Sequence, residues 1–167
     1  VGLLSLGTEI TIGRVNLFLQ HWDMPTPIGN MLRASMELLQ LEVGCAGCPL
    51  NEPYHPMGPL STHCWLKSFW EVVDRFRLQL VVDYPAILTP RLNDHLIMQI
   101  AMKLGFTGTD LGSINRCRLC CCCLFLSDLA SANSKFLDPM RGVQGVDYYS
   151  SSKYVFPKEK PSALDWE

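Results

Sequence analysis

Apolar side chains recur at helical intervals along most of this chain. From Thr8 to Trp22, Ile12, Val15, Leu19 and Trp22 fall on one stripe, with Thr8 placed to cap the turn and Pro25 placed to end it. From Pro27 to Val43 the signals agree more fully. Thr26 stands at the N-cap, Pro27 at the first helical position, Leu32, Met36, Leu39 and Val43 mark one face, and Gly44 closes the segment. The two segments predict a helical hairpin turning through Asp23, Met24 and Pro25. A third helix is predicted from a Ser61 cap to about Arg77, with Leu66, Phe69, Val73 and Phe76 inward and Trp65 and Val72 widening the stripe. A fourth runs from an Asn93 cap to Leu104 and ends at Gly105. A fifth opens at Thr109 and continues through Leu111, Ile114, Cys117, Cys121 and Leu124, apolar on all sides over 119–126, as a central core helix would be.

Between these helices lie Gly44, Gly47, Pro49, Pro53, Pro56, Gly58 and Pro59, a density that predicts a long Pro/Gly loop over 45–60. Leu78 to Val82 reads as an edge strand or extended connector, since Pro85 and Pro90 exclude helix beyond it. After Ala130 periodicity fades, and Tyr148 to Phe156 holds at most one short strand. The expected fold is mainly α, about five helices in an irregular bundle with one or two short extended segments. It divides into a hairpin (1–44), the loop (45–60), a helical region (61–130) and a mostly irregular end (131–167).

Composition narrows the function. The chain has 167 residues, 48% of them hydrophobic and 18% charged, so it must bury a sizeable core. Its mean hydropathy is +0.12. Fourteen Lys and Arg against sixteen Asp and Glu give a net charge of −2, so no global field draws it to nucleic acid or an anionic membrane. The longest apolar run, Leu119 to Leu126, is far shorter than the roughly 20 residues that span a bilayer, and no membrane partner is expected. The start at Val1, with no basic segment before Leu3, Leu4 and Leu6, reads as the cut end of a larger protein. Four of the eight cysteines are contiguous, Cys120 to Cys123, and neighbours do not readily bridge; an intracellular, reducing compartment is expected, nucleus or cytoplasm.

Candidate chemistry is sparse. Glycine phosphate loops, a nucleophile elbow, HExxH and paired metal-binding aspartates are all lacking from the sequence. Asp110 and Asp128 would share a face of the fifth helix but lie ~27 Å apart along it, too far for one metal ion. Cys45 and Cys48 form a CxxC with His55, His63 and Cys64 following, which a zinc ion could gather into a small stabilised module, against the plainer reading of a proline-rich loop with incidental cysteines. The fourth and fifth helices have the proportions of a helix-turn-helix, but Asp110 in the first turn of the second would repel phosphate. Between Ser61 and Arg118 seven basic residues oppose five acids, enough for a local phosphate-contacting patch or for an ordinary solvated surface.

Several blocks resemble the region downstream of the polymerase in retrotransposon reverse-transcriptase polyproteins. They are 27–44 (PIGNMLRASMELLQLEVG), 58–71 (GPLSTHCWLKSFWE), 88–94 (LTPRLND), 111–119 (LGSINRCRL), 124–132 (LFLSDLASA) and 161–166 (PSALDW). They cover nearly the whole chain, and the Cys120 to Cys123 tract departs from them. The resemblance implies that the first two helices are the end of a polymerase thumb or its connection and that the rest is a helical accessory domain. It implies no cofactor here. The Tyr-x-Asp-Asp turn that binds magnesium in the parent polymerase would lie upstream. The expected partners are an RNA or DNA template–primer and that upstream polymerase domain, the latter meeting apolar surface around Trp22 and Leu3 to Leu6. Arg33, Lys67, Arg75, Arg116 and Arg118 are the candidate backbone contacts, being helical basic residues near aromatics. The rival is a helical interaction or structural domain in which those side chains pair with acids such as Glu37, Glu71 and Asp74.

Overall fold

The computed structural model describes residues 6–82, 93–129 and 161–165. The fold is mainly helical, and no strand longer than a single bridge occurs among these residues. Six helices appear there: α1 (Leu6–Trp22), α2 (Pro27–Val43), a single turn α3 (Tyr54–Met57), α4 (Trp65–Arg75), α5 (Ile97–Lys103) and α6 (Gly108–Cys120). Short 3-10 turns at Pro49–Asn51 and Gly58–Leu60 flank α3, so the Pro/Gly loop is wound into turns rather than extended.

Helix α2 is the axis of the molecule, and its ends form as its sequence dictates. The Thr26 hydroxyl accepts the Gly29 N–H at 3.1 Å, Pro27 stands in the first turn, and Gly44 takes the left-handed conformation (φ 68°) at the C-cap. Its two sides enter two different cores. Leu32, Met36, Leu39 and Val43 pack with Phe18 and Trp22 of α1 and with Leu66, Phe69, Trp70 and Val73 of α4. Phe18 lies 5.0 Å from Trp22 and 5.1 Å from Phe69 between ring centres, and Trp70 meets Tyr54 edge-on at 5.3 Å while donating its indole N–H to the Glu52 carbonyl. This core takes residues from Phe18 to Leu80, and so from the hairpin, the loop and the start of the next segment alike. On the opposite side Leu41 joins Leu96, Leu124 and Phe125, next to a small cluster of Met98, Ala101 and Leu111 between α5 and α6.

Several boundaries and faces differ from expectation. In α1 the inward side chains are Phe18 and Trp22 with Val15 beside them, whereas Ile12 and Leu19 are exposed. Trp22 is only 2% exposed and offers no surface to a partner. Helix α4 starts at Trp65 instead of after Ser61. The Ser61 hydroxyl donates to the Gly58 carbonyl, the Glu42 carboxylate accepts both the N–H and the hydroxyl of Thr62, and the cap is the Cys64 thiol. Asn93 is left-handed (φ 59°) and cannot cap α5, whose entry is fixed by an antiparallel bridge between Leu96 and Phe125. Helix α6 stops at Cys120 because Cys122 turns left-handed (φ 53°), with the Cys122 and Cys123 N–H groups donating back to Leu119 and Arg118. The expected all-apolar helix over 119–126 is therefore the end of a helix followed by an extended segment. Asp128 lies in a 3-10 turn, its carboxylate accepting the Leu124 and Phe125 N–H groups. The possible edge segment is irregular at Leu78–Val82; Pro85, Pro90 and the stretch from Tyr148 to Phe156 lie outside the described residues.

Candidate functional site

The five basic residues expected to meet nucleic acid all engage protein groups, and they stand at separate places. Arg33, on α2, reaches back across the hairpin to the Trp22 and Met24 carbonyls at 2.5 and 3.3 Å and to the Asn30 side chain at 2.6 Å. Lys67 donates to the Ser61 carbonyl at 2.6 Å, tying the entry of α4 to its first turn. Arg75 pairs with Glu71 one turn earlier, at 2.9 Å on the surface. Arg116 grips Asp165, whose carboxylate also accepts the Ser113 hydroxyl and the Ser162 N–H. These donors, Arg116 first, hold the Asp165 carboxyl well below the usual carboxylate range.

Arg118 is the most constrained of the five. Only 3% exposed, it passes from α6 under the end of α2, where one guanidinium nitrogen donates to the Leu41 and Glu42 carbonyls at 2.8 and 2.7 Å. Those carbonyls are the negative end of the helix, so the cation serves as a C-terminal cap delivered from another element. Its Nε and second terminal nitrogen have no hydrogen-bond partner, and burial pulls its pKa down to about 9. Gly44 makes room for it: a β-carbon there would stand 2.9 Å from the guanidinium carbon and 2.7 Å from Met98. A side chain so placed does not reach phosphate.

The thiol and imidazole set does not converge. Among the described residues no group of three or more His, Cys, Asp or Glu side chains could hold a metal ion. Cys45 is buried in the α1–α2–α4 core with its thiol directed to the Gly47 carbonyl, and burial, reinforced by Glu52 and Cys48, pushes its pKa up to about 12. Cys48 is shifted up for the same main reason. His55 and His63 are exposed, and Cys64 is spent as the α4 cap. Cys45, Cys48, His55 and His63 are thus not gathered into one ligand set among the described residues, and no disulfide joins any of the eight cysteines. In the later tract, burial raises Cys117 to about 11 and Cys121 in the same direction.

Sequence reasoning expected exposed apolar surface around Trp22 and Leu3 to Leu6; Leu6 is exposed, Leu3 to Ser5 lie outside the described residues, and what was missed is how far such surface extends over the hairpin. On α2, Ile28, Met31 and Leu38 are exposed, and on α1, Leu6, Ile10 and Leu17. Their signal lay in helices apolar on more than one side, α1 above all. An open concavity of about 300 Å³ between α1 and the end of α4 is lined by Ile12, Val15, Phe76 and Leu78. No helix among the described residues is long and apolar enough to cross a membrane. A scan against protein-family models finds no match, and neither the curated proteins nor the solved structures contain one.

Proposed function

We propose that this chain is a noncatalytic helical accessory segment of a retroelement RNA-directed DNA polymerase polyprotein, and that it works by supporting the polymerase core through protein contacts, without gripping the template–primer. One observation carries the choice between those two tasks: each of the five candidate contacts, Arg33, Lys67, Arg75, Arg116 and Arg118, is held by a carbonyl, side-chain amide or carboxylate of the chain itself. The net charge of −2 supplies no compensating attraction. The exposed Ile28, Met31 and Leu38 row of α2 is the surface best suited to a protein neighbour, because apolar contact there recovers area that the isolated fold leaves in water.

The test is binding of a labelled RNA–DNA hybrid hairpin, followed by fluorescence anisotropy at about 50 mM and about 200 mM salt. This reading predicts no saturable binding at the lower concentration. Tight binding that weakens steeply with salt would overturn it in favour of template–primer contact, since release of counterions from contacted phosphates is what produces such a slope.

A further inference from the structure

On the side of α1 turned away from Phe18 and Trp22, Leu6, Ile10, Gly13 and Leu17 follow one another at steps of four, three and four residues, the spacing of a two-stranded helical seam. Leu6, Ile10 and Leu17 are 73%, 49% and 43% exposed. Gly13 is exposed too, and a β-carbon added there would meet nothing within 4 Å. The fold therefore has no need of glycine at this mid-helix position, where it weakens the helix. Its absent side chain does let another backbone come close. Gln20 continues the row as a polar step, of the kind that fixes register in paired helices.

Charge identifies the occupant. Glu9 and Arg14 flank the seam on opposite sides, five residues apart, and neither has an ion-pair partner among the described residues. When two such helices pair in parallel, the residue on one flank faces the residue five positions later on the other helix. A second copy of this chain would thus set Glu9 against Arg14 of the second copy, twice by symmetry, with Leu6, Ile10, Gly13 and Leu17 each meeting its own equivalent. Antiparallel pairing brings Glu9 opposite Asn16 and Arg14 opposite Gly7 or His21, with no opposite charge in either place. We infer that α1 is a parallel homodimerisation helix, seamed by Leu6, Ile10, Gly13 and Leu17 and oriented by reciprocal Glu9 and Arg14 ion pairs. Among the described residues, the body of each protomer lies on the far side of its α1, where Phe18 and Trp22 enter the core, and the seam stays exposed.

Sedimentation velocity on the full chain tests this across about 1 to 100 µM, the range suited to so short a seam. A concentration-dependent monomer–dimer equilibrium is expected. Leu17→Glu should abolish it while leaving the thermal melt at about 1 µM, where the monomer dominates, unchanged, since Leu17 belongs to none of the buried clusters. Glu9→Arg should weaken association by about tenfold through like-charge contact with Arg14, and the double exchange Glu9→Arg with Arg14→Glu should restore it. Gly13→Ala should raise the melting temperature of the monomer yet weaken the dimer, a pairing that a purely structural glycine would not produce. A monomer at every concentration would overturn the proposal and leave the face to a different protein. So would a dimer indifferent to Leu17→Glu, or one that the double exchange fails to rescue.

Discussion

The two sides of α2 are held by different physics. Toward α1 and α4 the contact is hydrocarbon and aromatic, with Phe18, Met36, Leu39, Phe69 and Trp70 nearly sealed from water. Toward α5 and α6 the apolar clusters are small, and single polar groups do the joining: Arg118 under the end of α2, Asp128 on the Leu124 and Phe125 amides, and Asp165 between Arg116 and Ser113. The first side tolerates local change in proportion to the area lost. The second depends on a few directional bonds, of which those of Arg118 and Asp128 leave buried carbonyls and amides unsatisfied when broken. Basic residues expected to serve a ligand turn out to be part of that joinery.

Substitutions sharpen the contrast. The largest effect is expected in the aromatic core, where Phe69→Ala should cost about 3–5 kcal/mol, read from the denaturant midpoint, because the cavity would open among Phe18, Trp65 and α2. On the polar side Arg118→Ala should cost about 2–4 kcal/mol, whereas Arg118→Met should cost roughly half as much. Methionine fills the space and removes a buried, partly unsatisfied charge, leaving only the two α2 carbonyls unpaired. Equal losses for the two variants would show that the guanidinium bonds, not its bulk, dominate. Gly44→Ala should cost about 1–2 kcal/mol, since it adds a β-carbon to a left-handed residue against Met98 and Arg118.

Acid should loosen the attachment of 161–165 before the aromatic core. The Asp165 carboxyl is held low in the folded chain, so the stability it contributes is present above the ordinary carboxylate pKa and is lost as pH falls below about 4. Hydrogen exchange at Ser113 to Cys117 should accelerate in that window, and Asp165→Asn should remove the pH dependence. The smallest effect belongs to Arg75→Ala, a few tenths of a kcal/mol, because the pair with Glu71 is exposed.

How much of this was legible depends on which local signal governs each element. Helix α2 was readable from end to end because Thr26, Pro27 and Gly44 each carry their effect in their own backbone. Three other helices end in the same left-handed motif, at Arg77, Gly105 and Cys122, with N–H groups returning to the last turn. Only Gly105 announces it, since an arginine and a cysteine adopt that conformation under tertiary constraint and not by preference. The late start of α4 depends on Glu42, twenty residues away in sequence, capturing Thr62. Helical periodicity placed Phe69 and Val73 inside correctly, and Val15 and Trp22 of α1 as well, yet it turned Ile12 and Leu19 inward and passed over Phe18, because apolar residues occupy more than one side of that helix. Among the candidate site residues, a basic side chain on a helix looks the same whether it meets phosphate or a carbonyl. Only the fold shows that Arg118 ends beneath α2.

On the proposed reading these basic side chains build the fold and do not hold nucleic acid. The most direct measurement replaces Arg33, Lys67 and Arg116 together by glutamine and records both the denaturation midpoint and the anisotropy of an RNA–DNA hybrid hairpin at low salt. The predicted result is a clear loss of stability with no change in an already negligible affinity. An unchanged midpoint accompanied by loss of measurable binding would contradict it.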